Sequence, residues 1–391
     1  MRSLVAASLL VLMAGAASAA EPLTVTVGVL RQPHSRETLS ILDIPAADDV
    51  LAGAQMGAAD DNTTGKFTGQ SFVVVDKALA EDEDAGAALD ALAGQGAKLI
   101  IADLSPARLL AASAHAGSGL IFNVSAPDET LREEDCRSNV IHVAPTRAML
   151  ADGLAQYLVW KRWTKWLLVK GSHPEDELLA AGYRKAAKKF GAKIVEERVY
   201  EDTGGGRRSD SGSVQTQRQM PVLTQSAPAH DVLVAADESD VFAGYLPYHT
   251  FDARPVAGSG GLVPTNWDPS HEQWGAQQLQ NRFRQTFRRG MNARDNAAWL
   301  TMRMIGEAAT RTGSGDPQKM REYLTGPEFS IAAFKGVRLT LRPWNQQLRQ
   351  PILLSDGRMV ASVSPQEGFL HQLTELDTLG PDRPETKCRL K

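Results

Sequence analysis

The chain has 391 residues, of which 43% are hydrophobic, and a formal net charge of −4. Because so small a charge on so long a chain produces no long-range field, neither nucleic acid nor a charged membrane surface is an expected partner. The length exceeds what one hydrophobic core usually organises, which predicts two domains or lobes.

The N-terminus has the three parts of a cleavable secretory signal. Arg2 supplies a positive start, residues 4–13 an apolar run, and residues 17–19 a small-residue cleavage site. A membrane anchor is the alternative, but it would need about 20 apolar residues, and Glu21 and Pro22 interrupt this run earlier. Residues 15–20, where a lipid anchor would need a cysteine, contain none. We therefore predict a signal peptide over residues 1–20 and an exported protein with no lipid anchor and no insertion into a membrane.

The chain contains two cysteines, Cys136 and Cys388. In an oxidising compartment a lone pair forms a disulfide more often than a metal site or a nucleophile, and no Cys-x-x-Cys spacing indicates redox or zinc chemistry. The expected Cys136–Cys388 disulfide would tie the C-terminal tail to the body of the protein.

Short β-branched runs alternate with segments of helical period, as in βαβ units with a largely parallel sheet. The first set has strands at residues 23–30, 72–76, 98–104, 119–125 and 139–144, and helices at 47–61, 85–93 and 106–115. The second has helices at 148–160 and 175–190, and strands at 166–170, 193–200, 231–237 and around Val256. Residues 203–213 contain too few apolar side chains to pack, which predicts a mobile surface loop.

The last third of the chain begins with helices predicted at residues 271–289 and 295–313. Strands follow at residues 337–342, 351–355 and 359–363, and Asp356-Gly357 between the last two is a hairpin signal. The predicted fold class is α/β with two lobes, each a mostly parallel sheet flanked by helices.

Motifs of hydrolytic, metal and nucleotide chemistry are absent from the sequence. Cys136 and His142 could be proposed as a nucleophile and a base, but six residues apart on an extended segment nothing enforces their contact. No enzymatic activity and no cofactor are therefore expected.

Polar residues follow the C-terminal ends of predicted strands in both halves, where ligands bind in open α/β sheets. The candidate ligand-binding residues are Ser105, Ser125, Asp128, His173, Asp176, Asp237, Glu238 and Ser239. Each one alone is better explained as a helix cap or turn residue, since Ser and Asp satisfy the first N–H groups of a helix. Together, loops that face one crevice would surround a small ligand. This arrangement indicates binding rather than catalysis.

Three segments read GAQMGAADDNTTG (residues 53–65), NVSAPD (123–128) and YRKAAKKFGA (183–192). In order and spacing they resemble the periplasmic binding proteins of branched-chain amino-acid ABC transporters, the type I two-lobed receptors. Residues 156–163, 234–240 and 334–344 are similar to the branch associated with PQQ-dependent alcohol oxidation, and residues 376–380 and Cys388-Arg389 fit that branch. The resemblance covers nearly the whole chain after the signal peptide.

The resemblance implies lobes joined by hinge crossovers: lobe 1 at residues 21–145 and 263–330, lobe 2 at 146–262 and 331–375, and a tail at 376–391. It implies a periplasmic receptor that delivers a small solute to an inner-membrane ABC permease, with lobe closure reporting occupancy. A PQQ-dependent dehydrogenase is a further candidate partner.

Two departures from the family's pattern bear on the ligand. Amino-acid-binding relatives have a hydroxyl-rich run where residues 104–109 read LSPARL, and a Tyr-Gly pair where residues 173–176 read HPED. Both departures weaken the prediction that the ligand is an amino acid.

Unpaired carboxylates would instead favour a cationic ligand, since they repel an anion in a desolvated site. They are Asp128, Asp176, Asp237 and Glu238. A hard metal ion is conceivable, because such ions prefer oxygen ligands. The rival function is that of a periplasmic metal-binding or escort protein of a PQQ-dependent dehydrogenase system, without transport.

Overall fold

The computed structural model describes residues 22–33, 44–202 and 215–390. The predicted signal peptide at residues 1–20 and the predicted mobile loop at residues 203–213 lie outside these ranges. Within the described ranges, the helices lack the combination of length and apolar character that crossing a membrane requires.

The first lobe contains a parallel five-stranded sheet in the order β2-β1-β3-β4-β5. Its elements are β1 (Leu23–Arg31), α1 (Leu51–Thr68), β2 (Gln70–Ala78), α2 (Ala85–Gly94), β3 (Leu99–Asp103), α3 (Pro106–His115), β4 (Leu120–Asn123) and β5 (Val140–His142). On β1, Val27 and Val29 pack in one core and Leu30 in another. Both faces of the sheet are therefore covered, as is usual for parallel sheets.

The second lobe repeats this plan with a parallel four-stranded sheet in the order β7-β6-β8-β9. Its elements are α4 (Arg147–Trp160), β6 (Lys165–Lys170), α5 (Pro174–Phe190), β7 (Lys193–Val199), α6 (Thr216–Thr224), β8 (Val232–Ala236), α7 (Leu246–His249) and β9 (Val256–Gly258). Strand β8 is buried along its whole length. The predicted α/β class with two lobes is confirmed.

The rest of the chain serves both lobes. Its elements are β10 (Val263–Thr265), α8 (Ala276–Phe287), α9 (Ala293–Thr312), α10 (Pro317–Thr325), β11 (Ile331–Ala332), β12 (Arg338–Leu341), β13 (Leu348–Arg349), β14 (Ile352–Ser355) and β15 (Val360–Ser364). Leu339 and Leu348 pack in the core of the first lobe, whereas Ile352 and Leu354 pack in the core of the second. The contacts thus divide residues 331–375, which the resemblance assigned to the second lobe as a whole.

Helices α1 and α9 pack closely in the first lobe because α1 is rich in small residues. A Cβ atom on Gly53 would lie only 2.0 Å from the carbonyl oxygen of Asp295. Asp295 also accepts hydrogen bonds from the backbone N–H groups of Val50 (3.0 Å) and Asn292 (3.2 Å). These contacts fix the first turn of α9, which carries Arg294 to the boundary between the lobes.

The first and third lobe crossings, at residues 143–146 and 348–352, are joined by side-chain amides. Gln350 donates to the carbonyl oxygen of Val143 (2.6 Å), and Gln347 donates to that of Ala144 (3.0 Å). Gln350 accepts a hydrogen bond from the Lys335 amine (2.7 Å), which is almost fully buried. Burial lowers the pKa of Lys335 to about 7.

Lys335 predicts a rise in stability at alkaline pH. Because its folded-state pKa is depressed, the penalty for burying its charge is complete below pH 7 and disappears as pH rises toward the unfolded value. We expect the free energy of unfolding of the wild type to increase between about pH 7 and pH 10, by an amount on the order of a few kcal/mol. Lys335→Met should lose this increase. Urea unfolding across that pH range measures the free energy of unfolding of both proteins. If this free energy depended on pH equally in the two proteins, Lys335 would not be the group responsible and the prediction would be wrong.

Candidate functional site

A crevice of about 310 Å³ lies between the lobes, at the C-terminal ends of strands from both sheets. Its walls are largely apolar. Val124 and Pro127 contribute from the first lobe and Leu179 from the second. Val263 and Pro264 of β10 complete the apolar lining. The polar side chains at the crevice include Ser125, Arg147, Tyr183, Glu238, Ser259 and Arg294.

Arg147 is the central charged group of the crevice. It is the first residue of α4, directly after the first crossing, and its side chain is only 6% exposed. Its Nε and Nη2 atoms donate to the two carboxylate oxygens of Glu238, at 2.6 and 2.7 Å. Its Nη1 atom lies 3.1 Å from Asp128 Oδ1. One guanidinium thus bridges a loop of the first lobe and a loop of the second.

Arg147 and Glu238 stabilise each other's charge despite their burial. Burial opposes the charge of Arg147, but the hydrogen bonds and charge of Glu238 outweigh it and raise the pKa of the guanidinium. Burial raises the pKa of Glu238, and Arg147 counteracts that shift. Glu238 is therefore already paired with a cationic side chain of the protein itself.

Tyr183 provides a hydroxyl group on the second-lobe wall. The residue is 1% exposed, and burial raises the pKa of its phenol. The hydroxyl group consequently stays protonated at neutral pH. It can donate a hydrogen bond to an oxygen of a bound solute.

Asp176, Asp237 and Ser239 form a structural cluster at the ends of β6 and β8. Asp176 is fully buried and accepts hydrogen bonds from the N–H (2.9 Å) and the hydroxyl group (2.8 Å) of Ser239. Asp237 accepts from the backbone N–H groups of Val241 (2.8 Å) and Phe242 (2.7 Å), among others. These carboxylates satisfy loop and helix N–H groups, which was the alternative explanation for each of them.

His173 and Ser105 lie outside the residues that line the crevice. His173 Nε2 is 2.9 Å from Asp202 Oδ2, and that contact raises the pKa of His173. Ser105 is the N-cap residue before α3, and its backbone N–H donates to the side chain of Gln32 (2.8 Å). Of the eight candidates, the crevice brings together Ser125 and Glu238 directly, and Asp128 through Arg147. Their ligand-binding role remains a proposal.

Sequence reasoning did not select Arg147 and Arg294, although a signal was present. Both lie in the first turn of a helix, in α4 and α9 respectively. The helix dipole disfavours a cation there, so an arginine in that turn needs a compensating partner or a function. Arg147 finds Glu238 as its partner.

The carboxylates at the crevice do not form a metal site. Among the described residues, no group of His, Cys, Asp and Glu side chains is arranged to hold a metal ion. Glu238 and Asp128 already share the Arg147 guanidinium. A cationic ligand would have to displace that buried arginine.

Arg147→Met should destabilise the protein at neutral pH, because it leaves two partly buried carboxylates without their cation. We expect a loss of about 2 kcal/mol in the free energy of unfolding, reduced from the fully buried case because Glu238 is 28% exposed. The loss should shrink toward pH 5, since Glu238, with its pKa raised further, then takes up a proton. Urea unfolding of the wild type and the variant at neutral pH and at pH 5 measures the loss in the free energy of unfolding.

Two further variants sharpen this measurement. Adding Glu238→Gln to Arg147→Met should recover part of the lost stability. Arg184→Met breaks a more exposed ion pair with Glu177 and Glu197 and should cost less than about 1 kcal/mol. Equal losses for Arg147→Met and Arg184→Met would contradict the bridging role of Arg147.

The fold and the crevice between two lobes define the class of the protein. The sequence model of the family described as "Periplasmic binding protein" matches residues 44–356. That range is most of the chain, and the chain therefore belongs to the periplasmic binding protein family. No curated protein matches the chain in sequence.

Solved structures with the same fold include three binding proteins. A branched-chain amino-acid ABC transporter periplasmic ligand-binding protein from Burkholderia xenovorans is 18% identical, with a TM-score of 0.70, covering 94% of this chain and 99% of that one. A leucine-, isoleucine-, valine-, threonine- and alanine-binding protein from Brucella ovis, in its closed conformation, is 14% identical, with a TM-score of 0.68 and coverages of 95% and 100%. An R. palustris solute-binding protein in complex with benzoate is 14% identical, with a TM-score of 0.63 and coverages of 94% and 100%.

Proposed function

We propose that the protein is the periplasmic solute-binding component of an ABC importer, and that its lobes close on a small solute linked to PQQ-dependent alcohol oxidation. Family membership supports the receptor role. The crevice supports the mechanism, because groups from both lobes line it and closure would bring them onto one ligand.

The ligand class follows from the charges at the crevice. Arg147 pairs with both Glu238 and Asp128, and this one observation removes the argument that unpaired carboxylates attract a cationic ligand. Arg294 lines the same crevice from the first lobe and forms no salt bridge with the described residues, although its charge acts on Asp49. With Tyr183 as a hydrogen-bond donor and apolar walls, the crevice suits a small, mostly apolar solute with one carboxylate group.

A carboxylate ligand agrees with the proposed metabolic link. Residues 156–163, 234–240 and 334–344 carry the resemblance to receptors associated with PQQ-dependent alcohol oxidation. Oxidation of an alcohol proceeds to an aldehyde and then to a carboxylic acid. The acid formed from a small apolar alcohol has the chemistry that the crevice suits.

Small carboxylates should stabilise the protein, whereas their uncharged analogues should not. The probes are butyrate, hexanoate and benzoate, each paired with its amide, together with leucine, putrescine and a divalent metal ion. A ligand at 100 times its Kd adds about 2.7 kcal/mol to the free energy of unfolding. Thermal unfolding with each probe measures the shift, and calorimetric titration gives the Kd.

The same probes with two variants assign the carboxylate contact. Arg294→Gln should weaken carboxylate binding at least about tenfold, the effect of losing one charged hydrogen bond. Arg288→Gln, at an exposed position of the same lobe, should leave binding unchanged. Stabilisation by putrescine or metal alone would contradict the ligand class. The absence of stabilisation by any probe would count against a receptor.

A further inference from the structure

The second lobe has a positively charged end opposite the crevice. Gly258, at the C-terminal end of β9, lines the crevice, whereas Lys165 and Lys193 begin the parallel strands β6 and β7. Lys165 and Lys193 are register partners, so two neighbouring strands about 4.8 Å apart each begin with a lysine. This end, formed by residues 160–165 and 188–193, is here called the basic end.

The helix ends beside these strands add further cations. Lys161 and Arg162 directly follow α4. Lys188 lies in the last turn of α5, one turn after Arg184, which pairs with Glu197 of β7. Because a helix that connects parallel strands runs antiparallel to them, Lys188 lies closer to the start of β7 than Arg184 does. All these cations therefore lie at one end of the lobe.

The basic end has little negative charge of its own. Five of its cations are exposed and form no salt bridge with the described residues: Lys161, Arg162, Lys165, Lys188 and Lys193. Lys189, in contrast, pairs with Asp152. Asp231 precedes β8 at this end, and its carboxylate accepts hydrogen bonds from the backbone N–H groups of Thr164 (3.0 Å) and Lys165 (2.9 Å). The net charge of −4, averaged over the chain, thus conceals a local surplus of positive charge.

Two apolar side chains protrude beside the cations. Trp160 is 50% exposed, and the Nζ atom of Lys161 lies 4.8 Å from the centroid of its ring. Leu370 is 80% exposed. The loop that carries Leu370 bonds to Gln156 of α4 (3.0 Å) and packs edge-on against Phe190, the last residue of α5 (5.4 Å between ring centroids). This loop therefore places Leu370 near the ends of both helices.

Compensation of helix dipoles explains only part of this arrangement. Lysine and arginine are favoured at the C-terminal ends of helices, which explains Lys161, Arg162 and Lys188. Lys165 and Lys193 begin strands, so they complement no helix end. Dipole compensation also gives no reason for exposed apolar side chains at the same place. A surface that binds an anionic partner explains the cations of the helices and of the strands together.

The composition favours a lipid surface over an acidic protein as that partner. Four of the five unpaired cations are lysines, whereas protein–protein interfaces are enriched in arginine and depleted in lysine. A lysine is a flexible point charge, which suits a diffuse layer of phosphate groups. A tryptophan flanked by Lys and Arg, together with an exposed leucine, is typical of proteins that bind at the boundary between lipid headgroups and acyl chains.

We infer that the basic end binds reversibly to the surface of an anionic phospholipid membrane. The cations lie against the headgroup phosphates, and Trp160 and Leu370 enter the headgroup layer. Each lysine or arginine near an anionic lipid surface strengthens binding about fivefold, and salt screens this attraction. Because the crevice lies at the opposite end of the lobe, the bound protein keeps it open to the solution. This inference does not depend on which solute the crevice binds.

Sedimentation of the protein with lipid vesicles tests the inference. The protein should bind vesicles of phosphatidylglycerol and phosphatidylethanolamine at about 50 mM salt and leave them at about 500 mM salt. It should not bind phosphatidylcholine vesicles. Lys161→Gln combined with Lys165→Gln should weaken binding roughly 25-fold. The matched change of two exposed first-lobe lysines, Lys66→Gln with Lys98→Gln, should leave binding unchanged. Equal weakening by the two pairs, or no binding to anionic vesicles, would overturn the inference.

Tryptophan fluorescence identifies the surface that touches the lipid. Brominated acyl chains quench an adjacent indole ring, so brominated phosphatidylglycerol should quench the wild type, and Trp160→Phe should remove this quenching. Trp274→Phe, at a first-lobe tryptophan of similar exposure (49%), should retain it. Wild-type Tm values show that the variants are folded. Quenching that persists in Trp160→Phe would place the contact elsewhere and overturn the inference. Binding to soluble polyglutamate but not to vesicles would assign the basic end to an acidic protein and would also overturn it.

Discussion

The ion pair of Arg147 with Glu238, extended to Asp128, is the interaction on which the binding crevice depends. Arg147 directly follows the first crossing, so its side chain is placed by the same backbone that connects the lobes. Without it, the second-lobe loop would present an unpaired carboxylate to a mostly apolar crevice, which is costly in a desolvated site. With it, the carboxylate of Glu238 is paired. Arg294 on the facing lobe is the cation that we propose attracts the carboxylate group of a solute.

The crossings combine a rigid connection with freedom to rotate. Side-chain amides of Gln347 and Gln350 replace the regular hydrogen bonds that a sheet would supply, and they join separate crossings to one another. Arg132 donates to the carbonyl oxygens of Ala126 and Ala144 and stiffens the same region. Such contacts hold the crossings together as a unit. The lobes on either side, each with its own core, are then free to move as bodies.

The fold could be predicted from the sequence because its signals are local. Alternating β-branched and helical segments located the strands of both parallel sheets, and Asp356-Gly357 marked the hairpin between β14 and β15. The pattern could not show which core β12 covers, since burial periodicity identifies a buried face but not its partner. The helix predicted to begin at Asp295 begins two residues earlier, at Ala293, and its cap is Asn292.

The site was less predictable because its polar groups are satisfied by distant residues. Asp237 and Glu238 lie in the loop after β8 and Asp176 lies in the first turn of α5, as expected from the sequence, but their hydrogen-bond donors were not visible in the pattern. Asp176 is bonded to Ser239 of another loop, and Glu238 to an arginine 91 positions earlier in the chain. Only the three-dimensional contacts distinguish a carboxylate that caps a helix from one that faces a ligand.

The C-terminal segment, which the predicted disulfide between Cys136 and Cys388 joins to the first lobe, also has a consequence for proteolysis. Residues 383–385 are exposed, so a protease could cut the chain there. Because Cys388 is bonded to Cys136, the short fragment after the cut would remain attached to the first lobe. The nicked protein would keep every residue and gain the mass of one water. Reduction would then release the short fragment, so mass spectrometry before and after reduction would detect the cut.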